Sequence, residues 1–175
     1  MFISLSPLTL ADITALTALA NNPQIAIWLR DIFPSPYTEQ DARNFLEYLA
    51  TQKPLTTFGI RYQNELAGVC SLVLQQDIFR KSAEIGYWVG EPFWGRGIAT
   101  EAVRLLCQKG FEEWGLMRIY AGVFPVNVAS MRVLEKAGFQ FESIAKKALI
   151  KRGLIYDDYI YRMTLEEWKS LNKKV

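Results

Sequence analysis

The chain has 175 residues, half of which are apolar, and its formal net charge is +2. This length and composition predict a single globular domain over residues 1–175 and exclude a disordered chain, and so small a charge gives no reason to expect a nucleic-acid partner. The absence of histidine excludes Ser-His-Asp and Cys-His catalysis in their usual forms.

The first third of the chain predicts one strand, three helical segments and a loop that is stiffened by two prolines. Thr9 is placed to cap the first helix, and Thr38 opens a Thr-x-x-Asp capping box before the third. The predicted bounds are a strand at 2–5, helices at 11–20, at 25–29 and from the capping box to about Thr51, and a loop at 33–37.

Three consecutive strands come next, and helices and strands then alternate. Gly138 stands where a left-handed helix cap belongs. An antiparallel meander that passes into β-α-β units predicts an α/β (α+β) protein with a mixed sheet and helices on both sides. The predicted strands are 57–62, 67–74, 82–89, 117–124, 139–147 and 154–163, and the predicted helices are 98–113, 127–137 and 164–168.

The segment Ile85–Ala102 carries the clearest chemical signal, because a strand ends there, a glycine-bearing turn follows and a helix begins. Unpaired backbone N–H groups and the positive end of the helix dipole predict an anion site suited to a pyrophosphate. Gly95 and Gly97 remove the Cβ atoms that would keep a phosphate away. A dinucleotide fingerprint fails at Thr100, and a Walker loop fails at Arg96. Taken alone, the segment could also be a tight turn whose glycines only allow the backbone to reverse direction.

Three motifs together resemble the GCN5-related N-acetyltransferase (GNAT) superfamily. Trp94–Ala99 matches its phosphate loop, Gln/Arg-x-x-Gly-x-Gly/Ala, except at the first position. That tryptophan, the strand Ala83–Val89 and the segment Asn127–Phe139 are similar to the branch that contains the ribosomal-protein N-terminal acetyltransferases. The resemblance covers nearly the whole chain in element order. It implies the acyl-CoA N-acyltransferase fold, a mixed, mostly antiparallel sheet of about seven strands, splayed at the centre and flanked by helices on both faces.

The resemblance also implies acetyl-CoA as the cosubstrate. Main-chain groups of Tyr87, Trp88 and Val89 would pair with the pantetheine arm as an added strand does, and one N–H could stabilise the oxyanion. The side chain of Arg96 can equally be solvated, and Asn127 has the sequence of a helix N-cap. The implied contacts to the rest of the cofactor come from Gly95, Arg96, Gly97, Ile98, Ala99, Thr100 and Asn127.

The implied reaction is direct attack of a primary amine on the thioester, which requires a group that takes the amine proton. Glu84 is the first candidate, and Asp157 and Asp158 are weaker ones. Ser130 matches the family's serine near the CoA sulfur, although a hydroxyl in a first helical turn can also cap. Aromatic residues more often form a core than a pocket, but the candidate walls of the acceptor pocket are Trp28, Phe33, Tyr37, Trp88 and Tyr156.

The favoured acceptor is the α-amino group of a protein or peptide. The alternatives are a small amine, such as a polyamine, an amino acid or an antibiotic, and a non-catalytic module that senses acetyl-CoA, since one fold serves many functions. Cys70 and Cys107 cannot supply four ligands, so we expect no metal. No run approaches the ~20 apolar residues of a membrane span. We expect a cytoplasmic monomer or homodimer.

Overall fold

Residues 2–173, which the computed structural model describes, form a seven-stranded mixed sheet; Met1, Lys174 and Val175 lie outside the described residues. The strands are β1 Ile3–Ser6, β2 Thr57–Tyr62, β3 Glu65–Leu74, β4 Ser82–Val89, β5 Arg118–Val123, β6 Gln140–Lys151 and β7 Leu154–Thr164. They lie in the order β1-β2-β3-β4-β5-β7-β6. The pairs β1–β2, β2–β3, β5–β7 and β6–β7 are antiparallel, and β4–β5 is parallel. The predicted mixed, mostly antiparallel sheet is therefore confirmed.

The parallel register of β4 with β5 is short. It joins Ser82–Glu84 to Arg118–Tyr120, although β4 itself continues to Val89. A register that ends early is what a sheet that splays at its centre requires.

The helices agree with the predicted order and differ at their ends. The predicted helix 25–29 is wrong in position: α2 begins at Pro23, because Asn22 caps it by accepting from the Gln24 N–H at 2.8 Å and proline suits the first helical position. A short 3-10 turn, Leu10–Asp12, precedes α1. The helices are α1 Ile13–Ala20, α2 Pro23–Ala26, α3 Glu39–Thr51, α4 Ile98–Glu112, α5 Val128–Ala137 and α6 Leu165–Asn172.

The last hairpin is longer than the sequence predicts. β6 runs to Lys151 instead of 147, because two register shifts against β7 absorb extra residues and let the strand continue. Likewise α6 reaches Asn172 instead of 168, from a complete capping box between Thr164 and Glu167.

The chain divides into two compact units, which are described separately. The first comprises the residues up to Ser71 and Tyr87–Ala102, and the second comprises Leu72–Gly86 and the residues from Val103 on. The core of the first unit is formed by α1, α3 and β3, through Leu16, Ala20, Tyr37, Ala42, Leu46, Leu49, Leu66 and Val69. Fully buried side chains of the second unit include Leu106, Leu116, Ile119, Leu134 and Met163. A single domain over the whole chain stays a prediction.

An ion pair at the edge of the first unit joins β2 to the start of α1. The guanidinium of Arg61 donates to both carboxylate oxygens of Asp12, at 2.8 and 2.9 Å, and its Nε donates to Ser6 at 2.9 Å. Asp12 also accepts from the Thr9 N–H at 2.8 Å. Burial alone raises the pKa of Asp12, but the bonds from Arg61 and Thr9 outweigh it, so that the pKa lies below its ordinary value.

Replacing Asp12 by asparagine should lower the free energy of unfolding by about 3 kcal/mol, since removing one partner leaves a largely buried guanidinium without its counter-charge. Urea denaturation at pH 7 measures this loss. Because the folded-state pKa of Asp12 is lowered, the carboxylate contributes fully above about pH 4 and its contribution disappears as the pH falls through that lowered pKa. The gap between the wild type and Asp12→Asn should therefore shrink in acid. The exposed control Glu47→Gln should change the stability by less than about 0.5 kcal/mol at either pH; an equal loss in both variants would contradict the prediction.

Candidate active site

The predicted site residues are distributed over both units. The main-chain groups and the glycine loop belong to the first unit, and the candidate acid and base groups belong to the second. The first unit holds Trp28, Phe33, Tyr37, Tyr87, Trp88, Val89, Gly95, Arg96, Gly97, Ile98, Ala99 and Thr100, and the second holds Glu84, Asn127, Ser130, Tyr156, Asp157 and Asp158.

The end of β4 is held by a very close approach of β3. A Cβ atom added to Gly68 would lie 2.2 Å from the carbonyl oxygen of Trp88 and 2.8 Å from the Cα of Val89. Any side chain at this position would push the backbone of β4 away. Just beyond the strand, the Gly90 N–H donates to the Ala67 carbonyl at 2.8 Å. The main-chain groups that the sequence assigns to the pantetheine arm are therefore fixed by the sheet itself.

Trp94, the residue that departs from the family pattern, fastens the loop to this strand end. Its indole N–H donates to the carbonyl of Val89 at 2.6 Å. The short turn between them, Glu91–Phe93, is closed by the Phe93 N–H to the Gly90 carbonyl at 2.9 Å. Sequence reasoning missed this role, and the only signal for it was the departure from the pattern. The Val89 carbonyl thus already accepts one hydrogen bond.

The glycine loop leads directly into α4. Gly95 and Gly97 have φ angles of +73° and +74°, a region in which residues with a side chain are strained. The Glu101 N–H donates to the Gly97 carbonyl at 3.2 Å and makes the first bond of the helix. The preceding amides of the first turn have no intrahelical acceptor. Ile98 anchors this turn because its side chain is 1% exposed. The geometry is that of an anion site at a helix N-terminus.

Arg96 extends from this loop over two aromatic rings of the first unit. Its guanidinium carbon lies 6.0 Å from the ring centroid of Tyr62 and 5.9 Å from that of Phe93. The two rings meet edge to face at 6.1 Å. A cation over aromatic faces is attracted to both, so the structure adds a placement that the sequence did not anticipate.

The aromatic residues proposed for the acceptor pocket differ in exposure. Tyr37 is 5% exposed and belongs to the core, and burial, followed by the charge of Asp41, raises the pKa of its phenol to about 12. The ring of Phe33 contacts those of Tyr37 at 5.1 Å and Trp88 at 6.1 Å. Phe33, Trp88 and Trp28 are half-buried. Tyr37 therefore supports the others from within, and little of its surface is open to a substrate.

In the second unit, Asn127 caps α5. Its side-chain oxygen accepts from the Ser130 N–H at 3.2 Å. Asn127 therefore acts as the helix N-cap that its sequence position predicted. In Ser130 the backbone N–H makes this bond, and the half-buried hydroxyl takes no part in it. A contact with the cofactor stays a prediction for both residues.

The three candidate carboxylates have different surroundings. Glu84 lies opposite Tyr120 in the parallel register. Asp157 is engaged with the last hairpin: its carboxylate accepts from the Lys146 ammonium and from the Lys147 N–H, both at 2.9 Å. The bond from Lys146, followed by that from Lys147, lowers the pKa of Asp157, which suits an ion pair better than a base.

Asp158 differs from Asp157 in that its pKa is raised instead of lowered. A Cβ atom at Gly122 would lie 2.6 Å from each of its carboxylate oxygens, so this carboxyl occupies the space that the glycine leaves. Burial raises the pKa of Asp158, the charge of Glu84 raises it further, and a bond from the Val123 N–H opposes them. Nearby, the Tyr156 ring meets that of Phe124 edge to face at 5.4 Å.

Metal-holding clusters, and helices long and apolar enough to cross a membrane, are both absent from the described residues. No group of three or more His, Cys, Asp or Glu residues within 2–173 could hold a metal ion. None of the helices formed by these residues combines the length and the apolar character that crossing a membrane requires.

Comparison with known proteins adds a family to this geometry. The model of the acetyltransferase (GNAT) domain matches residues 3–140. The Bacillus subtilis protein named "Putative ribosomal N-acetyltransferase YdaF" is 37% identical over 112 residues, which are 64% of this chain and 61% of that protein. A second curated relative is matched over 43% of its own length. The chain therefore spans less than two thirds of the length of each of these two relatives.

Solved structures agree with the family match. RimJ of Mycobacterium smegmatis, in complex with CoA-disulfide, has a TM-score of 0.85 and 25% identity over 98% of this chain and 88% of that one. The microcin C7 self immunity acetyltransferase MccE, in complex with acetyl-CoA and AMP, has a TM-score of 0.79 and 28% identity over 93% of this chain and 92% of that one. The resemblance read from the glycine loop and its flanking motifs is confirmed: the chain belongs to the acetyltransferase (GNAT) family and is similar to its member named "Putative ribosomal N-acetyltransferase YdaF".

Proposed function

We propose that this protein transfers the acetyl group of acetyl-CoA to the α-amino group of a protein or peptide. The observation that carries the proposal is the glycine loop between a fixed strand end and the start of α4, in a family whose member RimJ was solved with CoA-disulfide. We further propose that the whole chain acts as one acetyltransferase domain.

The residues of the first unit suit the donor. Amides from Gly95 to Thr100 would bind the pyrophosphate, aided by the dipole of α4. Main-chain groups of Tyr87, Trp88 and Val89 would hold the pantetheine arm, where the hydrogen bond from Trp94 leaves a second lone pair of the Val89 carbonyl for a ligand. Arg96 would move from its two rings to reach a phosphate, or would hold the loop by staying on them. Asn127 would contribute from the start of α5.

The residues of the second unit suit the chemistry. An α-amino group with a pKa near 8 is mostly protonated at neutral pH, so a base must take its proton before it attacks the thioester. We assign this role to Glu84. The hydroxyl of Ser130 would stabilise the departing thiolate by a hydrogen bond. Because a thiolate is a good leaving group, loss of Ser130 should slow turnover without abolishing it.

We assign the acceptor from the similarity to YdaF, which is named a "Putative ribosomal N-acetyltransferase". The side chains proposed to recognise the amine are Trp28 and Phe33, with Tyr37 packed behind Phe33, and Tyr156 of the second unit. A small-molecule acceptor is the second candidate, and the likeness to MccE, a self immunity acetyltransferase solved with AMP, is the observation that favours it. A sensing module, the third reading, would bind acetyl-CoA without turnover. A cytoplasmic location and a monomeric or homodimeric state stay predictions from the sequence.

Purified protein should release CoA thiol from acetyl-CoA when it is given short peptides with free Ser, Ala or Met α-amino ends. The same peptides with blocked ends are the matched control and should give only background, because a blocked amine has no lone pair to attack with. Release with polyamines or free amino acids alone would move the proposal to the small-molecule acceptor. If the protein binds acetyl-CoA but releases no CoA thiol with any amine, the result would support the non-catalytic sensing module.

Trp94→Phe should weaken acetyl-CoA binding about fivefold, since it removes one hydrogen bond worth about 1 kcal/mol that holds the loop to Val89 while keeping an aromatic ring in place. Isothermal titration calorimetry with acetyl-CoA measures the change in Kd. The control Trp168→Phe makes the same substitution in α6, in the other unit, and should bind as the wild type does. Equal affinity of all three proteins would show that the indole does not position the loop.

A further inference from the structure

The carboxyl of Asp158 occupies the space that a side chain at Gly122 would fill. An ordinary β-strand residue at position 122 would put its Cβ 2.6 Å from both carboxylate oxygens of Asp158, which is closer than any van der Waals contact. Glycine at 122 therefore admits the carboxyl above the backbone of β5. Gly122 is itself exposed, so this part of the strand is open to an incoming molecule.

Strand geometry places Glu84 and Asp158 on one face. Glu84 is opposite Tyr120 in the parallel register, and Tyr120 and Gly122 are two residues apart on β5, so all three point to the same side. The register of β5 with β7 sets Gly122 opposite Ile160, and Asp158 is two residues from Ile160. The two carboxyls thus flank β5 from its two neighbouring strands.

The charged and titratable groups on this face explain the state of Asp158. Tyr120 of β5 and Tyr156 of β7 share it with Glu84 by strand alternation. The cations further along, Arg118 and Arg162, pair with Glu142 at 2.6 and 3.7 Å. Glu84 is the charged group that acts on Asp158, and with burial it raises the pKa of that carboxyl.

A purely structural role does not account for this carboxyl. The Oδ1 atom of Asp158 is buried and has no hydrogen-bond partner among the described residues, although the carboxyl accepts a bond from the Val123 N–H; in Asp157 both oxygens are bonded. A buried acceptor without a partner destabilises the folded protein. A carboxyl whose pKa is raised by burial and by a second carboxylate is a recurring arrangement for acid and base chemistry in enzymes.

We propose that Asp158 acts with Glu84 as a single acid–base unit that takes up the proton of the acceptor ammonium, with Gly122 as the residue that makes room for it. This inference rests on the proposed transfer to an amine and adds a second catalytic group to it.

The step balances in protons and bonds. The acceptor ammonium gives one proton to the carboxylate pair and becomes a neutral amine. The amine nitrogen forms a bond to the thioester carbonyl carbon, the carbon–sulfur bond breaks, and the sulfur leaves as a thiolate. The second proton of the nitrogen passes to the thiolate, so that the products are an amide and CoA thiol, and the pair returns its proton to water.

The test compares kcat and its pH dependence in Asp158→Asn, Glu84→Gln and the double variant, using the best acceptor of the peptide panel. Each single variant should lose at least about 100-fold in kcat, the usual contribution of a general base, while KM for acetyl-CoA changes less than twofold. The double variant should lose little more than the worse single one, because members of one unit are not additive. Removing the charge of Glu84 lowers the pKa of Asp158, so the acid limb of Glu84→Gln should move to lower pH.

Asp77→Asn is the matched control, since Asp77 is an exposed aspartate of the same unit, and its kcat should stay within twofold of the wild type. A second variant, Gly122→Ala, keeps both carboxyls but fills the space, and it should also lose kcat; its thermal unfolding shows that it is folded. Turnover by Asp158→Asn equal to that of Asp77→Asn would overturn the proposal.

A readout that needs no turnover separates this inference from the proposed function. Carboxyl carbon NMR of the wild type should show Asp158 titrating above the ordinary aspartate range, and its pKa should fall in Glu84→Gln. An ordinary pKa that Glu84→Gln leaves unchanged would overturn the acid–base unit even in an active enzyme. Absence of transfer to every amine would overturn the proposed function, and the titration would still decide whether the two carboxyls are coupled.

Discussion

The proposed donor half of the site depends on one close backbone contact. β3 passes so near the end of β4 that a single methyl group at Gly68 would collide with the carbonyl of Trp88. This close packing positions the end of β4, and the Val89 carbonyl there accepts the hydrogen bond of the Trp94 indole. The glycine loop then begins from a fixed position and delivers its amides at the start of α4. Preorganised main-chain donors of this kind bind an anion without further ordering.

In the second unit a glycine also makes room for a neighbouring group, which here is a side chain. At Gly122 the missing side chain admits a carboxyl instead of a backbone, and burial together with the charge of Glu84 changes the proton affinity of Asp158. The surroundings of a carboxyl decide the direction of its pKa shift. Asp157, one residue away, accepts a hydrogen bond from Lys146, and its pKa is lowered instead. Alternation along β7 puts the two aspartates on opposite faces, and each face decides what its carboxyl can do.

Local sequence patterns predicted most of the fold because most of its signals are local. The capping boxes at Thr38 and Thr164, the cap at Gly138 and the glycine loop at 95–97 all lie within a few residues of what they specify. The start of α2 and the end of β6 were predicted wrongly, since the Asn22 cap and the two register shifts against β7 move these boundaries without changing the hydrophobic pattern. The hydrogen bond of Trp94 to Val89 and the place of Asp158 over Gly122 were missed because they join positions whose contact only the folded backbone specifies.

The same distinction between local and long-range signals separates the proposed donor contacts from the proposed acceptor contacts. Backbone groups of Tyr87–Val89 and Gly95–Thr100 depend on the fold and not on the identity of a side chain, so the proposed donor contacts need only the fold of the family. The acceptor would instead be recognised by side chains, and the core has already taken part of that set: Tyr37 is buried, and Phe33 packs against it. Trp28 and Trp88 of the first unit and Tyr156 of the second unit are half-buried, so their rings keep some surface that a ligand can contact. We propose these rings as the side chains that distinguish a peptide end from a small amine, because a carboxylate attracts every ammonium ion alike.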